Sequence, residues 1–302
     1  MKLPKDSKIV VCSIVRNAEN GLRRNIPVIQ EVLSNFMDYK VFVYENDSVD
    51  ATKLLLQQWM KDDSRVIVSL NDTDKSATIP SGKLVPGVNP FFCHKRIDKM
   101  ARIRNHYMEW LDSIDYNPDY VIVVDLDVSR LNAGAIMTSF GNGIMEWDAV
   151  TAFGYSTSPK MFKRRYHDSF ALTVWEDKDV PQTEAMIVNN AFKYGNLKAN
   201  DQWVRVASAF GGLSIYRFEA IKGLRYTEPA IDNNDSRVEV RCEHFSLYRQ
   251  MIERGFDKIY INPAMKLKYQ DLTFKTFWNS LHESTFLGYY KRRIISFFCG
   301  NK

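Results

Sequence analysis

Val121-Ile122-Val123-Val124-Asp125-Leu126-Asp127 is the stretch that decides the fold. A run of apolar β-formers delivers two carboxylates at its carboxyl end, one residue apart. In extended backbone, positions i and i+2 face the same side, so both carboxylates converge on one ligand. In open α/β sheets, ligands bind beyond the carboxyl ends of the strands. Hard divalent cations such as Mn2+ and Mg2+ take carboxylate oxygens and often bridge to a diphosphate. A strand-end aspartate also serves as an ordinary turn cap. The surrounding pattern favours the metal reading.

That pattern alternates strand and helix, which predicts an open, mostly parallel sheet flanked by helices. Residues 8–15 read as a fully buried first strand. Residues 18–36 read as a helix, with Leu22, Ile26, Ile29, Val32 and Leu33 near 3.6 spacing and Pro27 as a point of kinking. Strands are expected at 40–44, 65–70 and 120–124, with helices at 50–60 and 94–114. The second half alternates less regularly: strands are expected at 148–153, 212–216 and 258–262, and a helix at 243–254. Residues 71–92 are polar and rich in Pro and Gly, as lids and binding loops are.

The chain has 302 residues, 45% of them hydrophobic and 25% charged, with a formal net charge of +5. This suits one large α/β domain. The mild charge excludes a nucleic-acid binder, which would cluster Lys and Arg far more heavily, and suits handling of phosphorylated substrates. Cys12, Cys93, Cys242 and Cys299 form no CxxC pair and read as free thiols of a reducing, cytoplasmic compartment. No apolar run is long enough to span a membrane.

Polar residues cluster where the strands end. Strand one offers Ser13, Arg16 and Asn17 to the edge that carries Asp125. Strand two runs into Glu45-Asn46-Asp47-Ser48, where Ser48 or Asp50 caps the next helix. Glu45 and Asn46 have no such duty and suit a base or ribose. On the helix at 94–114, Arg96, Lys99, Arg102 and Arg104 cannot all be buried. A solvated face is the default reading, and an Arg fork turned to a phosphate is the functional one.

Taken in order, Val15-Arg16-Asn17-Ala18-Glu19, Glu45-Asn46-Asp47-Ser48, Arg96-Ile97 through Met100-Ala101 to Arg104-Asn105, and Asp125-Leu126-Asp127 resemble GT-A-fold glycosyltransferases. The closest resemblance is to the fungal capsular α-mannosyltransferase-like family, and it extends over residues 8–265. Tyr166-His167-Asp168, Phe210-Gly211-Gly212 and Cys242-Glu243-His244 agree with it. The resemblance implies a GT-A-like catalytic domain over residues 1–273, with a nucleotide-sugar half at 8–130 and an acceptor half at 131–273. It implies a nucleoside-diphosphate sugar donor and a glycan or lipid-linked acceptor. Asp125 and Asp127 would hold Mn2+ or Mg2+, with His244 completing the shell. Arg16, Asn17, Glu45, Asp47, Arg104 and Asn105 would line the nucleotide site, and Ser13 and Asn46, by their place at strand ends, and Arg96, as a cation of the helix at 94–114, are candidates to join them. Gly211 and Gly212 would admit the donor sugar, and Glu243 and Asp168 would serve catalysis.

Two other readings stay open. A nucleotidyltransferase shares the sheet, carboxylates and metal, but residues 15–22 lack the Gly-rich basic loop it needs. A non-catalytic nucleotide-sugar-binding relative would keep the fold. The tail at 274–302 interleaves aromatic and basic residues. It is read as a helix docked on the core or in a dimer interface or, alternatively, as a peripheral membrane contact.

Overall fold

The computed structural model describes residues 1–71, 90–141, 143–159, 161–229, 238–274 and 277–278. Strands β1 (Lys8–Val15), β2 (Asp38–Asn46), β3 (Val66–Asn71) and β4 (Tyr120–Val124) build the first half, with helices α1 (Glu19–Leu33), α2 (Thr52–Asp62) and α3 (His94–Ser113) between them. The second half adds α4 (Ala133–Met137), β5 (Ala149–Thr157), β6 (Arg164–Tyr166), β7 (Thr173–Val174), α5 (Glu184–Lys193) and β8 (Val204–Ser208). It closes with β9 (Leu213–Arg217), α6 (Phe218–Ile221), α7 (Glu243–Glu253) and β10 (Ile259–Gln270).

Among the described residues the strands form one sheet in the order β3-β2-β1-β4-β9-β5-β10-β8-β7, with β6 hydrogen-bonded to β5. β3, β2, β1 and β4 are mutually parallel, and β10 is parallel to β5. β9 runs antiparallel between β4 and β5. The expected mixed, mostly parallel α/β sheet flanked by helices is therefore the one observed.

The period-2 pleat sorts the apolar residues onto two faces. Val10, Cys12, Val121 and Val123 join a core with Tyr107 and Met108 of α3 and Tyr248 and Met251 of α7. Ile9, Val11, Ile122 and Val124 face the other way, onto Leu22 and Ile29 of α1, Trp59 of α2 and Ile136 of α4. Both faces of β1 and β4 are covered, which is why those strands read as unbroken apolar runs. Helix α1 runs unbroken through Pro27.

Residues 72–89 of the expected lid, and all of the tail but Phe274, Phe277 and Trp278, lie outside the described residues. Cys12, Cys93 and Cys242 are free thiols, and Cys299 lies outside the described residues. Among the described residues no helix is long and apolar enough to cross a membrane.

Candidate functional site

The carboxyl ends of β1, β2 and β4 open onto a cavity of about 560 Å3. Ile14, Val15 and Arg16 reach it from β1, Tyr44 and Asn46 from β2, and Asp125 and Asp127 from β4. Helix α3 contributes Arg96, Lys99, Met100, Ile103 and Arg104, and the far wall carries Arg165, His167, Asp168, Phe210, Glu243 and Tyr269. Side chains from both halves of the sheet thus face one space. Its charge is nearly balanced, with Arg16, Arg96, Lys99, Arg104 and Arg165 against Asp125, Asp127, Asp168 and Glu243.

The aspartate pair is held from below by α1. A Cβ on Gly21 would lie 2.5 Å from the Asp127 Cα and from the Leu126 carbonyl oxygen, so only glycine lets the helix seat against this turn. One turn on, the Asn25 amide donates to the carbonyls of Leu126 at 2.9 Å and Val128 at 2.8 Å, and its oxygen accepts from the Leu131 N–H. The Asp125 N–H donates to the Gly212 carbonyl at 2.9 Å. Gly21 and Asn25 escape a reading by periodicity. Gly21 is an ordinary residue in an ordinary helix position until its neighbour is known.

Burial raises the Asp125 carboxyl to about 7; Arg104 opposes the rise and Asp127 adds to it. Burial raises Asp127 as well, although its side chain faces the open cavity. Two carboxylates that resist ionisation side by side form a place for a cation. Among the described residues no third His, Cys, Asp or Glu joins them as a metal-holding group. That donor set fits a hard divalent ion that keeps water and substrate oxygens in its shell. Tyr269 donates from its hydroxyl to Asp125 Oδ2 at 3.3 Å and stacks on His167 with ring centroids 3.4 Å apart.

Arg104 is buried, 4% exposed, and its Nε donates to Glu243 Oε1 at 2.9 Å while its Nη2 stands 4.0 Å from Asp125. Burial opposes the guanidinium charge, and Tyr107, Glu243 and Asp125 outweigh that opposition. Burial likewise pushes the Glu243 carboxyl up, but Arg104 prevails and holds it below the usual carboxylate range. An ion-paired glutamate whose second oxygen accepts from the Cys242 thiol is a poor base. The geometry makes Glu243 the anchor of Arg104.

Several expected residues have other duties. His244 stacks on Phe210, with centroids 4.1 Å apart, and is 1% exposed. Burial and then Arg104 push its imidazole far below the usual range, so it is neutral. It does not line the cavity and is not brought together with Asp125 and Asp127. Asn105 exchanges both its amide groups with the backbone of Tyr226, at 2.8 and 2.9 Å, as a strap behind α3. Asn17 has φ 50° and ties two loops together. Its N–H donates to Ser48 Oγ and its Oδ1 accepts from the Val49 N–H. Asp47, with φ 53°, bonds through its N–H to the Asn71 carbonyl and stays off the cavity lining.

Ser13 and Glu45 are fully buried beneath the cavity floor and do not line it. Glu45 Oε1 accepts from the Ser48 N–H at 2.7 Å. Gly211 and Gly212, at φ 63° and 88°, meet protein instead of open space. A Cβ on Gly211 would lie 2.3 Å from the Ala152 carbonyl oxygen. Of the α3 cations, Lys99 and Arg104 are buried, whereas Arg102 is exposed and paired with Asp98. Arg16, Asn46, Arg96 and Asp168 line the cavity, and Lys99, Arg165, His167 and Tyr269 line it with them. Asp168 Oδ1 accepts from the Phe170 N–H at 3.1 Å, and burial raises its carboxyl while Arg96 lowers it.

The strap at Asn105 gives a test that separates support from binding. Asn105→Ala leaves the backbone of Tyr226 without its partner and is expected to cost about 1–3 kcal/mol in urea unfolding. Nucleotide affinity should stay unchanged, and a large drop in affinity at unaltered stability would restore it to the nucleotide site.

Among curated proteins none matches the chain. Similar solved structures include the mannosyltransferase PcManGT from Pyrobaculum calidifontis, in complex with GDP-Man and Mn2+. It is 12% identical at TM-score 0.45, and the match covers 91% of this chain and 59% of that one. Glucosyl-3-phosphoglycerate synthase from Mycobacterium tuberculosis is 12% identical at TM-score 0.45, over 97% of this chain and 78% of that one. TarS (residues 1–349) from S. aureus is 13% identical at TM-score 0.43, over 97% and 70%. The chain thus spans less than two thirds of the first of these. The sequence profile of the family described as Cryptococcal mannosyltransferase 1 matches residues 8–247, and the chain belongs to that family.

Proposed function

We propose that the protein transfers a sugar from a nucleoside-diphosphate sugar to a hydroxyl of a glycan or lipid-linked acceptor. The observation that carries this reading is the pair Asp125 and Asp127, raised in pKa and facing one cavity beside Arg16, Arg96 and Lys99. The family's description makes a mannosyl donor the first to try.

Asp127, with Asp125, would hold Mn2+ or Mg2+, which supplies positive charge against the departing diphosphate. The chain's own residues do the rest. Arg16, Arg96 and Lys99 face the region where the diphosphate would lie and stabilise its charge in a partly water-excluded space. Asn46 is 4% exposed, lines the cavity and has a buried amide Nδ2 without a hydrogen-bond partner, so it is ready to donate to a polar atom of the nucleoside. Arg104, locked by Glu243, keeps a fixed positive charge behind Asp125. Among the described residues, Asp168 is the carboxylate on the lining that belongs neither to the aspartate pair nor to the Arg104 ion pair. It suits reception of the proton that the acceptor hydroxyl releases.

The test is thermal shift with Mn2+ and each common nucleoside-diphosphate sugar, on the wild type and on Asp127→Ala. A true ligand at 100 times its Kd adds about 2.7 kcal/mol by mass action. One donor should stabilise the wild type and leave the variant unmoved. If none moves the wild type, the aspartates are structural and the transferase reading fails.

A further inference from the structure

One surface beside the cavity sets exposed apolar side chains next to cations. Strand β6 carries Arg165 and Tyr166 along the lining, with His167 just after it, and three residues before Arg165 the β5–β6 hairpin turns at Phe162, which has φ 52°. Phe162 is 62% exposed and Met161 52%. Strand β10 leaves the lining at Tyr269 and runs out beside the same hairpin, Gln270 opposite Ser156. Just beyond it Phe274 is 75% exposed. The two excursions meet, with the rings of Phe162 and Phe277 5.6 Å apart.

Cations ring this apolar tip. Arg164 from β6 and Lys266 from β10 both lie over the Tyr155 ring, at 4.4 and 5.6 Å from its centroid, so two like charges gather at one aromatic side chain. Neither they nor the exposed Lys163 form an ion pair with any described residue. Large exposed apolar side chains beside uncompensated cations suit a surface that is anionic outside and apolar beneath.

We propose that this hairpin tip, together with Lys266 and Phe274, forms a docking face for an anionic lipid bilayer. Arg164 and Lys266 meet the headgroups, and Phe162, Met161 and Phe274 enter the interface. The cavity mouth then opens next to the membrane, which deepens the acceptor part of the proposed function: the acceptor hydroxyl would belong to a lipid-linked sugar presented at that surface.

The experiment is co-sedimentation of the full chain with vesicles of phosphatidylcholine alone and with about 30% phosphatidylglycerol, at roughly 0.1 M salt. Binding is expected to the anionic vesicles only. The double substitution of Met161→Ser and Phe162→Ser should weaken it about tenfold or more. Arg164→Glu with Lys266→Glu should weaken it by at least a similar factor. These side chains are outside the cavity lining, so donor-induced thermal shifts should match the wild type. Absence of vesicle binding overturns the proposal, and so does binding that both variants retain in full, since other residues would then be responsible. Vesicle binding needs no donor, so a failed donor screen leaves this result standing and the two readings fail separately.

Discussion

Replacing Asp125 by asparagine is expected to reduce transfer about 10²–10³-fold and, at pH 8, to raise the stability of the ligand-free protein. The two effects share one cause. In the folded chain the Asp125 carboxyl lies at about 7, against an ordinary value of 3.8, chiefly because it is buried. A raised folded value means that the native state holds its proton more tightly than the unfolded chain does. The stabilising contribution is therefore whole below pH 4 and is lost as pH rises through 7. Above that range the wild type bears an ionised, crowded carboxylate, and Asp125→Asn relieves it by about 2–4 kcal/mol. Below pH 4 the wild type and variant should unfold alike. Urea titrations at pH 4 and pH 8 measure the difference, and equal gaps at both would refute the shift. A cation must also displace that proton, so the Mn2+-dependent thermal shift of the wild type should weaken as pH falls below about 7.

The second large effect concerns the ion pair behind the aspartates. Glu243→Ala leaves Arg104 buried with its main partner gone, and a buried charge so exposed costs about 3–5 kcal/mol. Removing both charges together, as Arg104→Met with Glu243→Leu, should recover much of that loss, because two apolar chains of similar size need no compensation. The double variant should still transfer poorly, since Asp125 loses the cation at 4.0 Å. Equilibrium unfolding of the wild type and the two variants decides it. A loss under 1 kcal/mol in Glu243→Ala would show that the pair is not held as tightly as its 2.9 Å contact implies.

The first half of the molecule was legible because its signals are local. β1 and β4 span the residues that their apolar runs predict, and α3 ends within one residue of expectation. Short elements of the second half gave no such signal. β6, β7 and β8 are short; β7 and β8 owe their form to partners far along the chain, β6 is a three-residue return of the β5 hairpin, and α5 begins where Thr183 caps Met186 rather than where periodicity is strong. β10 runs to Gln270, well past the expected 262, because it stays paired with β5 beyond the irregularity after Asn262.

In the site, strand position identified Arg16, Asn46, Asp125 and Asp127 as neighbours of one space. It could not separate residues that face that space from those one step below it, which is the difference between Asn46 and Glu45 or Ser13. Gly211 and Gly212 carry a correct signal, tight backbone, for a different neighbour: the carbonyl of Ala152 and the ring of Tyr269. His244 shows the commoner fate of a histidine among aromatics, since Phe210 and Tyr226 occupy its faces and edge. Tyr269 and His167 announce themselves only once β10 and the end of β6 are both laid along β5.

The antiparallel strand β9 has a consequence for how the chain is made. It hydrogen-bonds along the whole of β4, yet lies about 90 residues further on. At 5–20 residues per second, a ribosome would leave the open edge of β4 waiting roughly 5–20 s for its partner. During that interval Val121 to Val124 would present an apolar, unpaired edge of the kind that templates aggregation. β9, which follows directly on the Gly212 carbonyl that accepts from the Asp125 N–H, thus also ends that exposure, and fragments stopping near residue 130 would keep the edge open indefinitely.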